Sequence, residues 1–203
     1  MAEEQPKTPI AKILLALVVL EILGAGIYFL SLRGKAAYAP SLSIEPLEAP
    51  KATLSLKSEK NNLKVGEKIE VEALLSLSEG MKLSAVDLDI SYNPKLLKVI
   101  DSDTQKSETQ IETKEAKFNW PRNSVSLEGE RGSIKLTGYT EKETAFPEEV
   151  TLASIKFEAI SPGTAEIKWT FSEGITEESN VLLRSSGNDI LKEVANITLN
   201  IVE

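Results

Sequence analysis

The chain contains no cysteine and no histidine. Disulfides therefore cannot staple the fold, and cysteine usage says nothing of the redox compartment. The same two absences exclude the usual zinc ligand sets, cysteine nucleophiles and Ser-His-Asp triads. Aromatic residues make up 5% of the chain and include two tryptophans, so few rings are available to stack on a flat polysaccharide. Positive charge is also in short supply. The net charge of −8 argues against a nucleic-acid partner, because phosphate binding needs a basic surface. Abundant Asp and Glu leave only a hard-cation site open. No positioned catalytic constellation is visible, so the chain is read as a non-enzyme.

One long apolar run is present. Ile13 to Leu32 is 20 residues of almost uninterrupted apolar character, enough for a helix of roughly 30 Å, the thickness of a bilayer's hydrocarbon core. Residues 1–12 form a short N-terminal tail, and residues 13–32 are expected to be a transmembrane signal anchor. Lys7 and Lys12 flank the run on one side and Arg33 and Lys35 on the other, so basic residues do not orient it. The rival reading is a cleaved signal peptide. Ala37-Tyr38-Ala39 has the small-x-small form of a cleavage site, but Pro40 follows it and the run exceeds the roughly 7–15 residues of such a segment. Glu21 lies inside the run. A charged carboxylate there costs about 2.5–3.5 kcal/mol, so it is expected to be protonated, paired or turned toward another helix, unless the span simply tolerates it. Residues 33–50 carry Pro40, Pro46 and Pro50 and read as an extended linker.

From Lys51 onward, apolar and polar residues alternate with period two, the mark of strands with one buried face. Ala52, Leu54 and Leu56 set one such stripe. Others are Ile69, Val71, Ala73, Leu75 and Leu77; Val86, Leu88, Ile90 and Tyr92; Ile134 and Leu136; Ala153, Ile155 and Phe157; Ala165, Ile167 and Trp169; and Ile197, Leu199 and Ile201. Turns are expected at Asn61-Asn62, Val65-Gly66, Asn93-Pro94, Glu130-Arg131-Gly132, Pro162-Gly163 and Gly187-Asn188. Many short strands with frequent turns predict an all-β, antiparallel, jelly-roll-like sandwich of about nine strands over residues 51–203. Phe118, Trp120 and Trp169 share faces with apolar neighbours and are assigned to its core. Residues 104–116 are polar and read as a mobile loop. Asp101-Ser102-Asp103 offers oxygen ligands without the spacing of a calcium loop and reads as a solvated turn. Asn196-Ile197-Thr198 fits the N-glycosylation pattern, but it falls within an expected strand.

The ordered set of strand signatures resembles the cohesin domain. Asp87 to Val99, centred on Tyr92-Asn93-Pro94, looks like its third and fourth strands. Val65-Gly66-Glu67-Lys68-Ile69 looks like the entry to its second strand. Gly132-Ser133-Ile134-Lys135-Leu136, Leu152-Ala153-Ser154-Ile155-Lys156-Phe157 and Ile197-Thr198-Leu199-Asn200-Ile201 resemble later strands. The resemblance covers most of residues 51–203. It implies a module that binds a partner protein, dockerin-bearing in the family, through the sheet holding the third, fifth, sixth and eighth strands. The family's third-strand Asp falls at Asp87, while its Asn position is Ala85 here. Asp87, Asp89, Lys135, Thr137 and Tyr139 are the candidate partner-binding residues. No cofactor is expected for the chain itself, because Ca²⁺ belongs to the dockerin, which needs it to fold. The resemblance places the domain outside the cell on a single-pass anchor. A polysaccharide-binding module of the same superfamily and a structural subunit of a surface assembly are the alternatives.

Overall fold

The computed structural model describes residues 49–106 and 108–203, and Ala49–Glu203 forms one compact unit. The expected membrane segment, Glu21 and most of the linker lie outside the described residues. Among the described residues there is no helix, so none long and apolar enough to cross a membrane.

The unit is a sandwich of two sheets. One has the order β12-β1-β3-β9-β5, with β6 also on β9. Its strands are β1 (Ala52–Ser58), β3 (Lys68–Leu77), β5 (Leu97–Ile100), β6 (Glu112–Thr113), β9 (Glu149–Ala159) and β12 (Leu191–Ala195). The second has the order β2-β13-β10-β4-β8-β7, with β11 also on β4. It is built from β2 (Asn62–Lys64), β4 (Leu83–Tyr92), β7 (Asn119–Glu128), β8 (Arg131–Tyr139), β10 (Gly163–Trp169), β11 (Asn180–Leu183) and β13 (Ile197–Val202). The alternating stripes turn inward from both sheets. Leu54, Leu75, Leu88, Ile90, Ile134, Leu136, Ile155 and Phe157 are all but inaccessible to solvent. Burying each such side chain stabilises the fold by about 1.5–3 kcal/mol.

Four expectations need correction. There are thirteen strands rather than about nine. The additional ones, β2, β6, β11 and β12, have two to five residues each, too short to show a period. The sandwich is not purely antiparallel: β1 pairs with β12, and β2 with β13, in parallel. Parallel neighbours need a long crossover, and here nearly the whole domain supplies it, so the first and last strands of the domain close the sandwich together. The third correction concerns the turn expected over residues 130–132. Glu128 and Arg131 are paired, so the turn is Gly129-Glu130, with Gly129 at φ +63°. Gly132 lies inside β8 instead, directly under the Tyr92 ring. Finally, the loop expected over residues 104–116 is tied to the body from its middle onward. Ile111 is buried, and the Asn123 amide accepts its N–H at 2.8 Å and donates to its carbonyl at 2.7 Å.

Candidate functional site

Strands β10, β4, β8 and β7 are consecutive in the second sheet. Ile90, Leu88 and Val86 of β4 point into the core, so Ala85, Asp87, Asp89 and Ser91 must share the outer face. The register with β8 sets Ala85 against Tyr139, Asp87 against Thr137, Asp89 against Lys135 and Ser91 against Ser133. All five candidate residues therefore stand on one face in two adjacent strands. Each acid sits directly across from a donor, an arrangement that stabilises strand pairing.

The contacts follow that register. The Thr137 hydroxyl donates to Asp87 Oδ1 at 2.6 Å. Lys135 Nζ lies 2.9 Å from Asp89 Oδ2, and the Ser133 hydroxyl donates to Asp89 Oδ1 at 3.4 Å. Asp89 is only 7% exposed. It was expected on an open surface, yet its charge is satisfied within the sheet. Tyr139 is 42% exposed. It stands across from Ala85, whose small side chain leaves the ring uncovered.

Asp89 is enclosed because β4 changes neighbours there. Below it, β10 ends at the Trp169–Ile90 pair; above it, β11 begins at the Asn180–Asp87 pair. At the gap, the Asp89 carbonyl accepts from Thr170 N–H at 2.8 Å and from the Ser179 hydroxyl at 3.2 Å. The same hydroxyl accepts the Asp89 N–H at 3.0 Å. The connecting segment 170–179 rises from the sheet. It sets Thr176, Glu177 and Glu178 around an open depression whose other walls are Asp87, Asp89, Arg122, Lys135 and Thr137. Arg122, Glu177 and Glu178 were not foreseen. Arg122 sits in a polar stretch without alternation, and the two glutamates reach the face only through the β4–β11 pairing, which no local pattern announces.

Neither tryptophan contributes to this face. Trp169 is 5% exposed, and Trp120 is half-buried, edge-on to Phe118 at 5.6 Å. Among the described residues no group of three or more Asp or Glu side chains is placed to hold a metal ion. Asp101 instead braces its loop. Its carboxylate accepts N–H groups from Gln110 at 2.9 Å and Asp103 at 3.0 Å, and these bonds hold its pKa below the ordinary carboxylate value.

The cohesin domain model matches residues 52–200. The chain belongs to the cohesin family. Cohesin domains are non-catalytic binding modules. Among solved structures, the chain is similar to a type II cohesin domain from the cellulosome of Acetivibrio cellulolyticus. Identity is 14% over 74% of this chain and 96% of that one, with a TM-score of 0.58. A type II cohesin–X-dockerin complex from the same organism matches at 15% identity over 75% of this chain and 100% of that one, with a TM-score of 0.58. A type I cohesin–dockerin complex from Clostridium thermocellum matches at 17% identity over 74% and 99%, with a TM-score of 0.51. At such identities the likeness is one of fold. No curated protein matches the chain.

Proposed function

We propose that this chain is a membrane-anchored, extracellular binding module. It attaches a partner protein, dockerin-bearing, noncovalently through the outer face of β10, β4, β8 and β7. The observation that carries the reading is the grouping of Asp87, Thr137, Lys135 and Tyr139 on one face of two adjacent strands, with Tyr139 uncovered. Such a face suits protein recognition: an exposed tyrosine provides an anchor, and fixed polar pairs provide complementarity. Two of the similar solved structures are cohesin–dockerin complexes, which supports the choice of partner. The apolar run Ile13 to Leu32 supports the anchor.

The test uses residues 49–203 as bait in an extract of the source cell, with and without Ca²⁺, beside an insoluble-polysaccharide control. A protein captured only with Ca²⁺ is the expected result, since dockerins need that ion to fold. Asp87→Lys and Tyr139→Ala should each weaken capture at least about tenfold, or about 1.4 kcal/mol, the scale of an interface hot spot. Capture that survives both substitutions places the binding surface elsewhere. Retention on polysaccharide with no protein partner replaces the reading with carbohydrate binding.

A further inference from the structure

Asn196 is the only asparagine in the chain that begins an Asn-x-Ser/Thr triplet. Expected within a strand, it is instead the single residue between β12 and β13, where the chain crosses from one sheet to the other. Both Asn196 and Thr198 are exposed. Asn196 Oδ1 accepts the Trp169 N–H at 2.9 Å, continuing the β10–β13 ladder one step past the Ile167–Ile197 pair. That bond fixes the plane of the amide. Nδ2 donates no hydrogen bond within the protein among the described residues, and the residue as a whole is exposed.

We propose that Asn196 is an N-glycosylation site. The donor class is a lipid-linked pyrophosphate oligosaccharide. Nδ2 forms a bond to the anomeric carbon, the bond from that carbon to the pyrophosphate oxygen breaks, and the lipid pyrophosphate leaves. One Nδ2 proton passes to a base of the transferase. The product is a secondary amide that retains Oδ1, so the folded domain carries the glycan without losing the bond to Trp169. A single substituent at this crossover sits on the far side of β10 from β4, about one strand spacing or roughly 5 Å beyond β10, the edge of the proposed face, and about two spacings from β4, which carries Asp87. It flanks that face rather than covering it. The inference rests on the extracellular placement proposed above, because the acceptor must meet the donor outside the cytoplasm.

The test takes full-length protein from its own cells. Trypsin cuts after Lys192, so Glu193–Glu203 is released as one peptide containing the triplet. Mass spectrometry should find that peptide with sugar attached, bare in Thr198→Ala and still modified in Thr198→Ser. Protease added to intact cells reports in parallel whether the domain is outside. A bare peptide from a domain that external protease digests overturns the glycosylation alone. A bare peptide from a protected domain overturns the extracellular placement and this inference with it. Modification that persists in Thr198→Ala also overturns the assignment.

Discussion

A methyl group added at Gly132 would enter the Tyr92 ring. A Cβ built there lies 2.2, 2.4 and 2.7 Å from ring atoms Cζ, Cε1 and Cε2, closer than real Cβ contacts come. The ring cannot swing aside, because Tyr92 is 5% exposed and meets Phe157 edge-on at 5.3 Å. Overpacking of this kind costs about 1–3 kcal/mol. Gly132→Ala should therefore lower the melting temperature by about 4–8 °C at the middle of that range, taking roughly 2–4 °C per kcal/mol for a domain of this size. Leucine at position 92 keeps apolar bulk but ends short of the three clashing atoms. In a Tyr92→Leu background, Gly132→Ala should be neutral or stabilising by about 0.5–1 kcal/mol, since alanine loses less backbone entropy in a strand than glycine. The measurement is a double-mutant cycle by urea denaturation of residues 49–203, with a coupling above about 1 kcal/mol expected. Additive effects would refute the reasoning: Gly132 would then be tolerated for its backbone and not for the ring above it. The outcome matters beyond packing. The Tyr92–Gly132 pair ends the ladder that places Asp87 against Thr137 and Asp89 against Lys135.

Three further outcomes are expected. Lys135→Met leaves the nearly buried Asp89 carboxylate with only the long Ser133 bond. It should cost about 1–2 kcal/mol, a modest figure because the lysine end is open to solvent. Adding Asp89→Asn should recover most of the loss, and a Lys135→Met melting temperature equal to the parent's refutes the pairing. Asn123→Ala removes both bonds to the Ile111 backbone, at about 0.5–1.5 kcal/mol each. Amide exchange at Ile111 should accelerate well before global unfolding, and unchanged protection would show the segment is held by other means. Asp101 has its pKa depressed in the folded state by backbone N–H donors. Its contribution is thus complete above the unfolded value of about 3.9 and is lost as pH falls through the folded one. Asp101→Asn should flatten the stability curve below pH ~4. High salt keeps the test clean: Glu67, Glu112, Glu130 and Glu173 are depressed chiefly by lysines at the surface, and salt screens those pairs. An unchanged acid limb would reassign the effect.

How much was legible follows from where period two survives. The inner stripes of β1, β3, β4, β8, β9, β10 and β13 could be read directly, because one face of each strand is core. Reading β4 and β8 in that way also placed all five candidate residues on one outer face. β7 was seen only at Trp120, since Arg122, Asn123 and Ser124 break the pattern at the sheet edge. Gly132 reads in the sequence as a turn residue and lies in β8. In sequence, a glycine that admits a ring and a glycine that admits a positive φ look alike. The burial of Asp89 was hidden for a different reason. Alternation tells which way a side chain points, but not whether a distant segment such as 170–179 folds back over it.

Alternation also explains how so little identity with other cohesins suffices for the fold. Inward positions are constrained to be apolar and of suitable size, and many combinations of Leu, Ile, Val and Ala meet that demand. Outward positions are free of it. Their placement nevertheless depends on the core, because slipping β8 by one residue against β4 would turn Lys135 and Thr137 inward and break both polar pairs. In this domain the proposed recognition surface is therefore set from beneath. Inner contacts such as Tyr92 on Gly132 fix the register, and the register delivers a chosen set of outer side chains at fixed spacing. Substitutions at Tyr139 or Asp87 should then change what is bound with little effect on folding, whereas substitutions at Gly132 should disturb both.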